Sequence, residues 1–200
     1  MLNDVTVINI RECISDGNNE GLGEGELLEI LSEFSCEKNP DVERFLKNSS
    51  IEFAKKNQSV TYLVFLKEDA SLVGYFTLAI KTIRVNADVF SKNLNKKIGR
   101  VSDLDKESNT YTLSAYLIAQ LGKNYTNNAN EKIEGRQLLQ AAIDTIKKLQ
   151  YMAGGTVCFL EAEDKQKLLE FYENENSFKR FSTRESKNDR HKLVQLLKVI

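Results

Sequence analysis

The chain has 200 residues, of which 41% are hydrophobic and 28% are charged. This composition excludes an intrinsically disordered chain, and the length predicts a single domain over residues 1–200. The formal net charge of −1 excludes long-range attraction of nucleic acid by the protein as a whole. Asn3 and Asp4 interrupt the first apolar stretch, and no apolar run approaches the roughly 20 residues of a membrane span. We therefore expect a cytoplasmic protein with no membrane partner.

Charge is distributed unevenly along the sequence. Residues 1–33 contain eight acidic residues and one basic residue, a net charge of −7, whereas residues 179–192 contain six basic and two acidic residues, a net charge of +4. Such runs occur on solvated faces, on an acidic lip that receives a cationic substrate, and on a basic edge that receives a phosphate-bearing ligand. The sequence leaves these three interpretations open.

The three cysteines, Cys13, Cys36 and Cys158, are an odd number without a CxxC pair. This pattern indicates reduced, partly buried thiols. His191 is the only histidine, so any Ser-His-Asp triad would have to include it. The sequence also offers no Cys/His cluster for zinc. We therefore expect no metal site.

The first half of the chain predicts a strand, two helices and a hairpin. The β-branched residues 5–10 are typical of a strand, and a Gly-rich acidic loop separates them from an amphipathic helix near Glu24–Phe34. Asn39 is the expected N-cap of a second helix, with Pro40 as its first residue and an end near Lys56. The hairpin strands follow at Ser59–Lys67 and Leu72–Val85.

The second half predicts alternating strands and helices. Residues Asn86–Thr110 form a long connection or a broken helix, and the apolar run Tyr111–Gly122 reads as a buried strand. After the polar loop Lys123–Lys132, a strongly amphipathic helix opens at Ile133–Gly135 and ends at Gly154-Gly155. The remaining elements are a strand at Thr156–Leu160, a helix at Lys165–Glu175, and a C-terminal hairpin of Phe178–Arg184 and Lys192–Ile200.

This order of elements implies an α/β fold, a mixed sheet with helices on both faces. The loop before the helix at Ile133–Gly135 presents free backbone N–H groups and the positive end of the helix dipole, which together suit an anion. Gly135 permits close approach of a phosphate to the backbone, and Lys132 and Arg136 add positive charge. The pattern fits a phosphate site and also an ordinary helix start.

Four segments give the chain a resemblance to a known family. They are YLIAQLGKNY at 116–125, KIEGRQLLQAAI at 132–143, GGTVCFLEAED at 154–164 and LLEFYENENSFKRF at 168–181. Together they resemble the GNAT N-acetyltransferases. The resemblance implies the GNAT-like acyl-CoA N-acyltransferase fold, with a central mixed, mostly antiparallel sheet, and it implies transfer of an acetyl group from acetyl-CoA to an amine.

The resemblance also implies a cofactor site. The family's splayed fourth strand matches Tyr111–Lys123, whose backbone near Leu121, Gly122 and Lys123 would bind the pantetheine arm and the acetyl carbonyl. The family's pyrophosphate loop matches Asn130–Arg136. Its expected contacts come from Lys132, Ile133, Glu134, Gly135 and Arg136. The family pattern has glycine in place of Ile133, a difference that the loop tolerates if the φ angle of Ile133 is negative.

Tyr172 matches the family position whose phenol faces the CoA sulfur, and Asn174 is expected near the cofactor. A phenol, with an ordinary pKa of about 10, can protonate a departing thiolate in a dry and pre-organised site. The alternative is a half-buried tyrosine with a surface hydroxyl. Ser177 stands where the family usually has glycine before Phe178.

The general base is less clear from the sequence. Glu161, which we take as the candidate catalytic carboxylate, lies with Glu163 and Asp164 at the end of a predicted strand. A carboxylate there could accept the ammonium proton directly or through water. These carboxylates could also simply be solvated, and an amine that is already neutral needs no base.

The first half resembles a narrower group, the GNAT-type toxins of bacterial toxin–antitoxin pairs. The matching segments are FSCEKN at 34–39, VERFL at 42–46, and TYLVF and LVGYFTLAIK in the hairpin. This resemblance implies acetylation of aminoacyl-tRNA and an antitoxin partner. The sequence leaves open a small-molecule or peptide acceptor, a homodimer, and a non-catalytic module that binds CoA or a protein.

Overall fold

The strands form a mixed, mostly antiparallel sheet. The computed structural model describes residues 4–14, 22–185 and 192–200. Within these residues the strands are β1 (Val5–Asn9), β2 (Val60–Leu66), β3 (Leu72–Asn86), β4 (Leu104–Asp105), β5 (Thr110–Lys123), β6 (Val157–Glu163), β7 (Lys179–Glu185) and β8 (Lys192–Val199). They lie in the order β1-β2-β3-β5-β6-β8-β7, and β4 pairs with β5. This confirms the predicted fold class.

Seven α-helices occur in the described ranges. They are α1 (Ile10–Ile14), α2 (Glu24–Ser32), α3 (Pro40–Asn48), α4 (Ser50–Lys55), α5 (Lys92–Ile98), α6 (Gly135–Ala153) and α7 (Gln166–Glu170). Short 3-10 segments lie at Ala87–Val89 and Thr126–Glu131, and a π-helical turn at Phe171–Glu175 continues α7. No described helix combines the length and apolarity needed to cross a membrane.

Local sequence signals explain where several helices begin and end. The Asn39 side chain accepts a hydrogen bond from the backbone of Val42, and Pro40 is the first residue of α3, as predicted. The helix predicted to run to Lys56 is instead two helices, because Ser49 leaves helical geometry with φ −130°. The strand predicted over residues 5–10 ends one residue early, because Ile10 begins α1 and is completely buried.

The chain divides into two compact units. The first unit comprises Met1–Ala79 and Ala119–Thr145. In it, β1 pairs antiparallel with β2, and β2 pairs antiparallel with β3 with a register shift after Val64. Its core brings the apolar faces of α1 to α4 onto the strands and contains Ile10, Leu27, Leu31, Phe34, Leu46, Leu63 and Tyr75. The single domain predicted from the sequence stays a prediction.

The second unit comprises Ile80–Ile118 and Ile146–Ile200. Strands β5 and β6 run parallel, with Tyr116 opposite Cys158, and β8 pairs antiparallel with both β6 and β7. Its core contains Ile83, Val85, Phe90, Ile98, Tyr111, Leu113, Val157, Phe159 and Leu197. The connection predicted over Asn86–Thr110 holds α5 and β4. The acidic loop around 15–21 and His191 lie outside the described residues.

Candidate functional site

The end of β5 is the first part of the predicted site, and its glycine has a packing role. A Cβ on Gly122 would lie 2.4 Å from Cγ1 of Val42 and in contact with Phe34 and Tyr75. A Cβ on Gly74 of β3 would lie 2.8 Å from the carbonyl oxygen of Gly122. The two strands therefore approach closely here, which Gly74 permits, and Gly122 is needed for the close contact with Val42 of α3 whatever else it binds.

The loop after β5 is organised by a buried asparagine. Asn124 is 5% exposed. Its Nδ2 donates to the carbonyl oxygen of Leu72 at 2.9 Å, and its Oδ1 accepts from the backbone N–H groups of Ser35 and Thr126 at 3.0 and 3.1 Å. Because all these partners belong to the first unit, the start of the loop is fixed to its core. No local sequence pattern marks Asn124 for this role, because its partners Leu72 and Ser35 are far away along the chain.

Lys123 holds the far end of the same loop. Its ammonium donates to the carbonyl oxygens of Asn130 and Ile133, the latter at 2.8 Å. Burial and the positive charge of Lys38 lower the pKa of Lys123. The predicted contact of Lys123 with the cofactor was through its backbone. In the structure, the Lys123 side chain holds the loop against the end of β5.

The loop leads into α6 through a cap at Glu134. The carbonyl oxygen of Glu134 accepts from the backbone N–H groups of Gln137 and Leu138, and Oε1 of Gln137 accepts from the N–H of Glu134 at 2.8 Å. Helix geometry leaves the N–H groups of Gly135 and Arg136 without acceptors in the helix. These two amides are the donors available to a phosphate.

The side chains around these amides differ in exposure and in ion pairing. Arg136 is exposed and has no ion-pair partner among the described residues, whereas Lys132 donates to Asp69 at 2.6 Å and lowers the pKa of that carboxyl. Ile133 is 3% exposed and has negative φ, so its side chain takes the place of the family glycine without strain. Glu134 is exposed, and its carboxylate would repel a phosphate.

Tyr172 lies in the second unit, on the π-helical turn after α7. It is 8% exposed, and its ring meets those of Phe171 and Phe178 edge-on, with centroid distances of 5.0 and 5.8 Å. Burial raises its pKa to about 12. No hydrogen bond involves the hydroxyl among the described residues, and at this pKa the phenol is neutral at physiological pH.

The turn that carries Tyr172 is fixed by its neighbours. The backbone N–H of Phe178 donates to the carbonyl oxygen of Tyr172 at 3.0 Å, and Nδ2 of Asn176 donates to that of Phe171 at 2.7 Å. Ser177 has φ +59°, which explains why the family prefers glycine there. Asn174, predicted near the cofactor, is exposed on this turn.

The carboxylates at the end of β6 are ion-paired, with Glu161 and Glu163 inside the strand and Asp164 directly after it. Glu161 accepts hydrogen bonds from Nε and NH2 of Arg184 and from Nε2 of Gln195 at 2.8 Å. Burial would raise its pKa, but these hydrogen bonds outweigh burial and lower it. Glu163 pairs with Lys165, and Asp164 pairs with Lys192 at 3.1 Å. This geometry does not favour Glu161 as a general base, because its lone pairs are occupied and its basicity is reduced.

The remaining chemical features are structural. All three cysteines are free and buried, and burial raises the pKa of the Cys158 thiol to about 12. The described residues contain no group of three or more His, Cys, Asp or Glu side chains that could hold a metal ion. A cavity of about 270 Å³ in the first unit is bordered by Glu24, Leu28, Lys47, Ile51 and Lys55, and it includes none of the predicted site residues.

Comparison with solved structures identifies the fold. No protein-family model and no curated protein matches the chain. A structure of AtaT complexed with acetyl-methionyl-tRNAfMet is 16% identical, with a TM-score of 0.63, over 98% of this chain and 95% of that one. A tyrosine-to-phenylalanine mutant of KacT is 15% identical, with a TM-score of 0.62, over 98% and 95%.

A structure of mutant AtaT bound to the C-terminus of the antitoxin AtaR and acetyl-CoA is 14% identical, with a TM-score of 0.55, over 98% of this chain and 94% of that one. AtaT and KacT are GNAT-fold toxins of toxin–antitoxin systems. At this level of identity the likeness shows the fold. The resemblance to the GNAT fold expected from the sequence is therefore confirmed.

Proposed function

We propose that this protein is an acetyl-CoA-dependent N-acetyltransferase. The observation that carries the proposal is the GNAT fold over 98% of the chain, shared with a toxin that was solved with acetyl-CoA. In this role the amides of Gly135 and Arg136 hold the pyrophosphate, and the exposed Arg136 side chain supplies positive charge. Backbone groups of Leu121, Gly122 and Lys123 hold the pantetheine arm. Acetyl-CoA supplies the activated acetyl group.

Tyr172 is the proposed proton donor to the leaving thiolate. Its pKa of about 12 keeps the phenol protonated throughout the physiological range. With this pKa, the Tyr172 phenol is a weaker acid than a thiol that is exposed to water, because such a thiol has a pKa of about 8.5. The apolar surroundings that destabilise a phenolate destabilise a bare thiolate as well, so burial raises both pKa values and lessens the mismatch. Phe171 and Phe178 fix the ring for this transfer.

The ion pairs of Glu161, Glu163 and Asp164 favour an acceptor that needs no strong base. An α-amine, with a pKa of about 7.7 to 8.0, is neutral in a substantial fraction at pH 7, whereas a lysine amine near 10.4 is almost entirely protonated. We therefore propose an α-amine as the acceptor, attacking the thioester directly or after losing its proton to water.

A specific observation favours aminoacyl-tRNA as the carrier of that amine. The sequence of the second unit contains 18 basic and 12 acidic residues, a net charge of +6, and that of the first unit 10 basic and 17 acidic residues, a net charge of −7. A near-neutral protein can thus contain a unit that attracts a polyanion. AtaT was solved with an acetylated aminoacyl-tRNA. We propose a toxin with an antitoxin partner as the cellular form of this activity.

The test uses two tyrosine variants. Tyr172→Phe should lower turnover about 100-fold or more, because general acid catalysis contributes about that much, and leave the Kd for acetyl-CoA within about twofold. Tyr151→Phe is the matched control, because Tyr151 is 93% exposed and should leave both quantities unchanged. Turnover is measured with a panel of amines and aminoacyl-tRNAs, and binding by calorimetry.

The outcomes separate the alternatives. Failure of the wild-type protein to bind acetyl-CoA overturns the proposed function. Binding without turnover on any amine favours a non-catalytic CoA-binding module. Equal turnover by wild type and Tyr172→Phe overturns the acid role alone. A homodimer and a cytoplasmic location remain predictions.

A further inference from the structure

The connection between β3 and β5 carries a basic surface that the proposed chemistry does not use. From Val89 to Ser102 the sequence contains four basic residues and no acidic one. The basic residues are Lys92, Lys96, Lys97 and Arg100, and all four are exposed. They lie on or directly after α5, in the unit with net charge +6.

Three of these cations form a stripe. Lys92, Lys96 and Arg100 follow the i, i+4, i+8 spacing that places side chains on one face of a helix. Each step advances about 6 Å along the axis. Arg100 lies just past the C-cap Gly99, whose φ of −61° and ψ of −8° continue the helical path. We call Lys92, Lys96 and Arg100 the basic stripe.

The basic stripe is free of counter-charges. In the part of the chain that the structure describes, none of its three residues has an ion-pair partner. Several cations elsewhere are ion-paired, as in Lys55 with Glu24 and Arg184 with Glu161. Like charges at i, i+4 spacing repel one another and cost stability. An arrangement that destabilises the isolated helix and is left unpaired suits an anionic partner.

The helix beneath the stripe is firmly held. Ile98 is completely buried in the core of the second unit. Nδ2 of Asn95 donates to the carbonyl oxygens of Ala87 and Phe90 at 3.1 and 3.3 Å. The Ser91 side chain caps the N-terminus by accepting from the backbone of Leu94. The backbone that carries the stripe is therefore held in place, which reduces the entropy lost on binding.

We infer that the basic stripe binds the phosphate backbone of a nucleic acid, and, given the proposed aminoacyl-tRNA acceptor on which this rests, that the partner is the tRNA. Phosphates along a strand are regularly spaced charges, and lysine and arginine side chains contact them without reading sequence. All three stripe side chains are cations, so their charge favours a polyanion as the partner. An acidic peptide is the alternative occupant that the experiment distinguishes.

The experiment compares two triple variants with equal change of net charge. The stripe variant is Lys92→Gln, Lys96→Gln and Arg100→Gln. The control variant is Arg44→Gln, Lys55→Gln and Lys56→Gln, whose cations are exposed but ion-paired in the acidic unit. Binding of fluorescein-labelled, unacylated tRNA is measured by anisotropy between about 50 and 200 mM salt. Circular dichroism checks that each variant is folded.

The stripe variant should raise the Kd for tRNA about tenfold or more and reduce the magnitude of the slope of log K against log salt by about two to three. The control variant should stay within about twofold of wild type. Equal affinity and slope in wild type and stripe variant overturn the inference. So does tighter wild-type binding of a labelled oligoglutamate than of tRNA, with the difference lost in the stripe variant, because that result assigns the surface to an acidic peptide.

Failure of this inference is separable from failure of the proposed function. Acetylation of an aminoacyl ester that lacks RNA should be equal in wild type and stripe variant, because none of its three residues is among the groups assigned to acetyl transfer. Loss of tRNA binding with this activity intact supports the stripe. Absence of acetylation in the wild type, with the tRNA result unchanged, counts against the enzyme and not against the RNA surface.

Discussion

The ammonium of Lys123 donates a hydrogen bond to the carbonyl oxygen of Ile133, with an Nζ···O distance of 2.8 Å, and a second one to that of Asn130. A family pattern rich in glycine lets the backbone wrap closely around a pyrophosphate. Here Ile133 replaces a glycine and fills the core. The two hydrogen bonds from Lys123, at the end of β5, keep the backbone of the loop in place.

Lys123→Met should therefore weaken acetyl-CoA binding. The loss of charge-assisted hydrogen bonds, each worth about 1.5 to 3 kcal/mol, loosens the loop and should raise the Kd about tenfold, with a smaller effect on turnover at saturation. Calorimetric titration with acetyl-CoA measures this. Lys67→Met is the control, because Lys67 is exposed and its side chain has no partner among the described residues. An unchanged Kd in Lys123→Met would show that the hydrogen bonds of Lys123 to the loop do not shape the site.

The element order and the loop before α6 could be predicted from the sequence, but the hydrogen bonds of Lys123 to that loop could not. Hydrophobic spacing identifies a helix such as α6 because its apolar face is encoded locally. The acceptors for Lys123 lie seven and ten residues further on, and they face it only because Asn127 and Asn128 adopt positive φ angles of 49° and 58°. Asparagine tolerates this conformation, so a turn here is predictable from the sequence. The contact of Lys123 with the two carbonyl oxygens is not.

Glu161 illustrates the same limit. Its position after a predicted strand made it a candidate base. Its pairing with Arg184 depends on the order β6-β8-β7, which brings a residue 23 positions away to the carboxylate. Strand order is a long-range property that local patterns do not encode. Exposure and pairing of charged side chains are for this reason the least predictable part of the site.

Ser177→Gly should stabilise the protein. Ser177 has φ +59°, a conformation that costs a residue with a side chain about 1 to 2 kcal/mol and costs glycine almost nothing. We expect the free energy of unfolding to rise by about 0.5 to 1 kcal/mol, because glycine also loses more entropy on folding. Urea denaturation measures the change. Ser177→Ala keeps the Cβ and should bring no gain, and a stabilised Ala variant would contradict the backbone explanation.

Tyr172 should ionise only at high pH. Burial raises its pKa from about 10 to about 12. The stability that comes from keeping the phenol neutral is fully present below pH 10 and is lost as pH rises through 12. In spectrophotometric titration, the difference between wild type and Tyr172→Phe should therefore show no phenolate below about pH 11. A difference that titrates near pH 10 would mean that the ring is solvated and that its proposed environment is wrong.

Gly122→Ala should test whether the end of β5 is limited by packing. The added Cβ would lie 2.4 Å from Cγ1 of Val42, so α3 or β5 must shift, and overpacking of this kind costs about 1 to 3 kcal/mol. Gly25→Ala is the matched control, since a Cβ there meets nothing within 4 Å and its position in α2 favours alanine by up to about 1 kcal/mol.

The two alanine variants should therefore change the free energy of unfolding in opposite directions, as measured by urea denaturation. Gly122→Ala should also weaken acetyl-CoA binding, because a displaced β5 carries Leu121 and Lys123 with it. If Gly122→Ala is as stable as wild type yet no longer binds acetyl-CoA, the glycine is required by the ligand and not by Val42. If it is less stable and binds normally, the end of β5 is a packing site alone and the pantetheine contacts must lie elsewhere.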